Sequence, residues 1–162
     1  MTLEFWLSYN NNAERLRLPV NPESLTVSSP FSHTDVSVAG LGEVSIFGER
    51  GLKEFSFNTF FPKTYNPTYC AYTDFPTPDE CIETIERWRD TRRPIRFIVT
   101  GTKVNYAVTI REFEYDLERA GHAGDVYFSL ALKEYRFLTV REETVGNNKN
   151  KKPKKNPRPP VV

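Results

Sequence analysis

Apolar and polar residues alternate along most of the first sixty positions, which is the pattern of strands with one buried face. The alternation is clear in five segments, residues 3–8, 15–18, 33–38, 43–47 and 53–61. The three asparagines at residues 10–12 tolerate left-handed backbone, so the first two segments are predicted to form a hairpin. Glycines predict further turns at residues 40–42 and 48–51.

The last third of the chain predicts a meander of three strands. Residues 95–100 are rich in β-branched side chains, and alternation returns in residues 104–117 and 125–137. It slips by one residue at Arg111 and Glu112, which is typical of a β-bulge. We expect at least one arm of residues 104–137 to protrude from the domain.

One stretch, residues 77–94, predicts a helix. Thr77 is a good N-cap, and Glu80 three residues later completes a capping box. Arg92 and Arg93 are expected in the last turn, where the helix dipole favours positive charge. Helical spacing places four residues on one apolar face, namely Cys81, Ile82, Ile85 and Trp88. We expect this face to lie against a sheet.

Together these patterns predict a mainly β fold with one helix. The expected architecture is an antiparallel, partly closed barrel or sandwich of eight to ten strands, with the helix inserted over an opening. The domain is predicted to span residues 1–142, and residues 143–162 read as a basic, proline-rich disordered linker or tail. The candidate core residues are Ile82, Ile85, Trp88, Phe55, Phe57, Val108, Phe128 and Leu130.

Residues 62–78 combine prolines with aromatic side chains, which is too proline-rich for a central strand and too aromatic for a solvated linker. Two interpretations stay open, a functional loop and a connector held down by its own aromatic rings. Aromatic residues are enriched at interface centres as well as in cores. The candidate subunit-interface residues are Tyr65, Tyr69, Tyr72 and Phe75 in this loop and Tyr115 and Tyr127 in the meander.

Composition adds little to the predicted fold. The 162 residues carry a formal net charge of +1, with six Lys or Arg and no acid in residues 147–162. That tail lacks aromatic residues, so a solvated linker is favoured over a specific nucleic-acid partner. No apolar run approaches the roughly 20 residues of a membrane helix, and no signal peptide is evident at the start. We therefore expect a protein made in the cytoplasm, with Cys70 and Cys81 reduced and no membrane partner.

The sequence offers few groups for catalysis. His33 and His122 lack the spacing of zinc ligands, and His122 lies in a predicted turn. Cys81 lies on the predicted buried face of the helix, where a thiol is normally inert, although its pairing with a histidine stays open. The glycines precede no helix and so do not form a nucleotide-binding loop. We expect no enzymatic activity, no cofactor and no metal.

Several whole segments carry a family resemblance. They are FWLSYNN followed by LRLPVNPES, then GLGEVSIFGERGLKEFSFNTFFP, then IETIERWRDTRRPIRFIVTGTKVN, and finally VTIREFEYDLERAGHAGDVYFSLALKEYR. Over residues 2–142 the chain resembles the tube-type baseplate proteins of contractile phage tails and contractile injection systems. Within that group it resembles the N-terminal domain of the LysM-bearing hub adaptors of defective Bacillus prophage particles (XkdP-like proteins).

The resemblance implies a tail-tube type of β fold and a structural role in a baseplate, as an adaptor between the central tube or hub and the wedge or sheath. It implies assembly into a phage tail or tailocin-like (bacteriocin) particle as a sixfold homo-oligomeric ring. The implied partners are other baseplate, tube and hub proteins, which would pair with exposed strand edges and hairpins. Residues 143–162 resemble the linker before a LysM module. The alternative function is a cell-wall (peptidoglycan) binding module.

Overall fold

The computed structural model describes residues 2–117, 119, 121 and 123–139, so His122 and the predicted linker lie outside the described residues. Within them the chain forms nine strands and one helix. In chain order they are β1 (Phe5–Tyr9), β2 (Glu14–Arg17), β3 (Leu25–Ser28), β4 (Phe31–Val38), β5 (Gly42–Arg50), β6 (Glu54–Phe61), α1 (Pro78–Asp90), β7 (Ile95–Val99), β8 (Asn105–Asp116) and β9 (Val126–Glu134).

Seven of the strands form one antiparallel sheet in the order β2-β1-β7-β8-β9-β6-β3, and β4 and β5 form a separate two-stranded sheet. In a flat sheet β1 and β6 would lie four strand spacings, roughly 19 Å, apart. The ring centroids of Phe5 on β1 and Phe57 on β6 are nevertheless only 6.3 Å apart. The large sheet therefore curls around its core without closing into a barrel. The predicted mainly β class with one inserted helix is confirmed.

The core fills the inside of the curled sheet. Phe57 stacks on Phe97 at 5.7 Å, and Phe61 stacks on Phe128 at 4.2 Å. The core cluster contains all eight residues named as candidates from the sequence, Ile82, Ile85, Trp88, Phe55, Phe57, Val108, Phe128 and Leu130. The apolar face of α1 thus packs onto the inner face of the sheet.

The helix begins at the capping box predicted from the sequence. The Glu80 amide donates to Thr77 Oγ1 at 3.4 Å, and the Thr77 amide donates to Glu80 Oε2 at 3.1 Å. It ends at Asp90, before the proline, and Arg92 turns the chain with a φ of 57°. The predicted end was therefore wrong, and the basic residues of the last turn are Arg87 and Arg89.

Two predicted irregularities had different outcomes. The bulge in β8 is confirmed, because its register with β9 shifts between Ile110 and Glu112. The turn predicted at residues 48–51 was wrong, since β5 continues through Gly48 to Arg50. A Cβ added at Gly48 would lie 2.7 Å from the Ser32 carbonyl oxygen, so glycine is required there by close backbone contact rather than by a turn.

Candidate assembly interface

Strands β4 and β5 form a hairpin, residues 31–50, that we call the arm. Every residue of the arm is exposed except Arg50, which is half-buried. An isolated two-stranded hairpin is marginally stable in water because it cannot bury a face. The arm therefore has the features of an element that is completed by contact with something outside its own chain.

The register of the arm sorts its side chains into two unlike faces. Thr34 pairs with Ile46 and Val36 pairs with Val44, so these side chains share one surface. We call this surface the apolar face, and it consists of Thr34, Val36, Val38, Val44 and Ile46. The opposite surface carries Asp35, Ser37, Glu43 and Ser45, with the His33–Phe47 pair on the same side nearer the body. A ribbon with one apolar and one polar face is built to cover another surface.

Large apolar groups are exposed along the whole arm. Ile46 is 55% exposed, and Leu41 at the tip is 74% exposed. Nearer the body, the His33 ring lies 5.1 Å from Phe31 and 5.3 Å from Phe47, which is 79% exposed. Large exposed apolar groups therefore lie on both sides of the arm, on the apolar face and around Phe47, and exposed apolar surface of this kind marks interaction sites.

The root of the arm is held by polar groups. The Arg50 guanidinium donates from Nη1 to Glu134 Oε2 at 2.9 Å and from Nη2 to Glu134 Oε1 at 3.2 Å. The Lys53 amide donates to the same carboxylate at 3.0 Å. These hydrogen bonds, first that of Arg50, lower the pKa of Glu134 to about 2 against the opposing effect of burial.

The low pKa of Glu134 predicts an acid dependence. Because its pKa is depressed in the folded state, its contribution to stability is present above the unfolded value, about 4.5, and is lost as the pH falls towards 2. We expect the difference in unfolding free energy between the protein and Glu134→Gln to be constant from pH 7 to 5 and to shrink below pH 4.5. Urea unfolding of both proteins at each pH measures it, and a difference independent of pH would contradict the assignment.

A second surface lies on the outside of the body. Phe60 stacks on Tyr127 at 5.0 Å and meets the Tyr69 ring edge-on at 5.2 Å. Arg119 lies over the Tyr127 ring at 4.5 Å. These residues line a groove of about 850 Å³, which we call the aromatic groove. It contains three of the candidate interface residues, Tyr69, Tyr115 and Tyr127.

The three remaining candidate interface residues lie outside the groove, and Tyr115 also makes a contact away from it. Tyr65 is exposed at 47%. The Tyr72 hydroxyl donates to the Arg17 carbonyl at 2.9 Å, burial raises its pKa to about 12, and its ring meets Phe75 edge-on. The Tyr115 hydroxyl donates to Glu86 on α1 at 3.2 Å. Tyr72 and Phe75 thus make contacts within the chain, which favours the connector interpretation for that part of the loop.

The exposed hairpin is not the one expected from the sequence. At least one arm of residues 104–137 was expected to protrude, but β9 alternates with five buried positions and packs its apolar side against the core. On β8, Phe113 meets Phe128 edge-on at 5.7 Å. Over the described residues this hairpin is part of the body, and the prediction that it forms the protruding arm was wrong.

The two cysteines considered for catalysis are described by the structure, whereas His122 is not. Cys81 is fully buried, burial raises its pKa to about 12, and both Cys70 and Cys81 are free thiols. Across the described part of the chain, no group of three or more His, Cys, Asp or Glu side chains could hold a metal ion. Within that same part, no helix is long and apolar enough to cross a membrane.

Comparison with known proteins gives one clear sequence relative. The Bacillus subtilis (strain 168) protein YqbP, itself uncharacterized, is 38% identical over 153 residues, which cover 94% of this chain and 68% of that protein. No protein-family model matches the chain.

Two solved structures share the fold at low sequence identity. A chain in the virion of a native gene transfer agent particle is 14% identical and superposes with a TM-score of 0.50, covering 82% of this chain and 92% of that one. A chain in the tail of an empty gene transfer agent particle, solved with C6 symmetry, is also 14% identical with a TM-score of 0.50, covering 86% and 95%. The β architecture therefore recurs in particle components.

Proposed function

We propose that this chain, which belongs to the same family as YqbP of Bacillus subtilis, is a non-enzymatic structural subunit of a phage-like tail. The sequence resemblance to tube-type baseplate proteins supports this role. The fold shared with chains of gene transfer agent particles supports it as well, since one of those chains comes from a tail.

The observation that carries the proposal is the arm. Its apolar face has no cover within the described part of its own chain, although alternation with five apolar or β-branched side chains is the pattern of a buried strand pair. A subunit that works by assembly accounts for this because a neighbour supplies the missing cover. A protein that acts alone would have to protect such a surface.

The finer role that we propose is a baseplate adaptor that forms a sixfold ring and joins the central tube or hub to the surrounding parts. A ring requires head-to-tail contacts between two different surfaces of each copy. The arm and the aromatic groove are two such unlike surfaces on one chain.

Particles purified from a strain that carries the gene test the proposal. We expect the protein to be found in the particle by mass spectrometry, and symmetry-averaged electron microscopy to place it in a sixfold ring at one end. Deletion of the gene should abolish complete particles, and a plasmid copy should restore them. Particles that assemble normally without the gene would contradict the structural role, whereas incorporation with another symmetry would contradict only the ring.

The aromatic groove favours a second candidate, binding to cell-wall glycan, because sugars pack onto aromatic rings. Sedimentation with purified peptidoglycan tests it, with Tyr69→Ala as the groove variant and Tyr65→Ala as an exposed control. Retention that falls only for Tyr69→Ala would support wall binding. Failure of the unaltered protein to sediment would exclude it.

A further inference from the structure

A carboxylate occupies a position where the β9 pattern calls for an apolar side chain. The inward-facing residues of this strand are Val126, Phe128, Leu130, Leu132 and Glu134. Glu134 is only 8% exposed. Burial of a charged group is unfavourable unless it is paired and hydrogen-bonded, so this glutamate needs a structural or functional reason.

The contacts of Glu134 all serve the root of the arm. Its two oxygens accept the forked pair of bonds from Arg50, the last residue of β5, and the amide of Lys53, which leads into β6. Arg136 approaches the carboxylate at 3.9 Å and donates from Nη2 to the Arg50 carbonyl at 3.4 Å. The Gly51 amide closes the root by donating to the Pro30 carbonyl at 2.9 Å.

This geometry is directional. Two parallel hydrogen bonds between a guanidinium and a carboxylate fix both distance and orientation, which one apolar contact does not. Only the glutamate of this pair is buried, with a side chain 10% exposed against 37% for Arg50. Well-packed apolar residues in place of a buried ion pair often leave a protein as stable or more stable. Stability alone therefore does not account for Arg50 and Glu134, but control of the direction of the arm does.

We propose that Glu134 is a positioning residue that fixes the angle at which the arm leaves the body. It acts through Arg50, and it has no contact with the apolar face that would meet a neighbour. The angle is a property of the single chain. Its consequence, that the angle determines where a neighbouring subunit must lie, rests on the proposed function.

Distance measurement between two spin labels on the dilute monomer tests the angle directly. Leu41→Cys labels the arm tip and Lys103→Cys labels an exposed turn of the body, in a Cys70→Ala background. The remaining thiol, Cys81, is fully buried and resists labelling. We expect one narrow distance distribution for the unaltered root, and a distribution roughly twice as broad for Glu134→Gln because the bias towards one orientation is lost.

A matched control is available on the same strands. Lys133 and Glu54 form an ion pair at 2.9 Å beside the root, so Glu54→Gln removes a pair without touching Arg50, and we expect its distribution to stay narrow. A double variant, Arg50→Met with Glu134→Leu, separates position from stability. Its melting temperature should be close to that of the parent protein, and its distance distribution should be as broad as that of Glu134→Gln.

Each outcome decides the matter. Equal widths for the parent and Glu134→Gln, or a broad distribution already in the parent, would overturn the proposal. A narrow distribution in the double variant would also overturn it, because apolar packing would then fix the arm equally well without the Arg50–Glu134 pair. The distances are measured on the monomer, so a negative result for the proposed tail function would not affect them. Conversely, a fixed arm angle would not by itself support the tail function.

Discussion

Replacement of Trp88 by alanine is expected to lower the free energy of unfolding by about 3–5 kcal/mol, the cost of deleting a large buried aromatic side chain. Trp88 is fully buried and is the largest such side chain in the described core. It lies on α1 and joins the helix to the hairpin formed by β1 and β2. Its removal would leave a cavity at the point where three elements meet.

The contacts of Trp88 make collapse of that cavity difficult. Its ring stacks on Tyr9 at 5.9 Å, and its Nε1 donates to Glu14 Oε2 at 2.9 Å. Glu14 also accepts two bonds from Arg87 at 3.0 and 2.6 Å. The hydrogen bonds from Arg87 and Trp88 hold the Glu14 pKa at about 2. The indole thus fills space and helps to orient a carboxylate that links strand and helix.

Urea unfolding measures the loss, with Trp6→Ala as the matched control. Trp6 is half-buried, and Arg17 lies over its ring at 5.9 Å. We expect Trp6→Ala to cost about 1 kcal/mol, because its ring packs outside the core cluster and leaves no cavity there. A cost below about 1 kcal/mol for Trp88→Ala, or equal costs for both, would show that α1 does not seal the core as described.

The helix could be predicted because its signals are local. Thr77 and Glu80 form the capping box by themselves, and the spacing of Ile85 and Trp88 identifies the buried face without knowledge of the rest of the chain. The helix end was less predictable. Its position depends on Thr91 Oγ1, which donates to the Trp88 carbonyl, and on the left-handed backbone of Arg92. Helices usually end on a left-handed glycine or asparagine, so an arginine gives no signal for this conformation.

Strand order could not be predicted, because it depends on contacts that are remote in sequence. The hairpin of β1 and β2 was expected, but β1 also pairs with β7, about ninety residues away, through partners such as Leu7 and Phe97. β6 pairs with β9 in the same way. Alternation shows that a strand has one buried face, and it does not show which strand lies beside it.

The arm shows most clearly what alternation of apolar and polar residues cannot predict. Thr34, Val36 and Val38 alternate in the same way as residues that face a core, yet all three are exposed. Alternation records that a face is buried and does not record whether the same chain or a partner buries it. Glu134 shows the opposite case, since a charged residue at the end of an apolar alternation was a readable signal of a special site.

Shortening of the arm is expected to abolish incorporation into particles while the body stays folded. His33 and Phe47 are opposite partners, so an Asn-Gly turn can join them in place of residues 34–46. The root bonds of Arg50 to Glu134 remain, and the core loses nothing. The midpoint of thermal unfolding should change by less than about 4 °C, equivalent to roughly 1 kcal/mol for a domain of this size.

Point variants on the two faces of the arm separate apolar contact from arm length. Val36→Ser with Ile46→Ser alters the apolar face, and Asp35→Asn with Glu43→Gln alters the polar face of the same strands. Each buried aliphatic side chain contributes about 1.5–3 kcal/mol, so the first pair should lower incorporation at least about tenfold. The second pair should leave incorporation unchanged, as measured by quantitative mass spectrometry of purified particles.

Equal incorporation of both variants would mean that the apolar face is not covered in the particle, and the exposed valines would then need another explanation. A loss confined to the polar-face variant would instead mean that a neighbour binds the opposite surface of the arm.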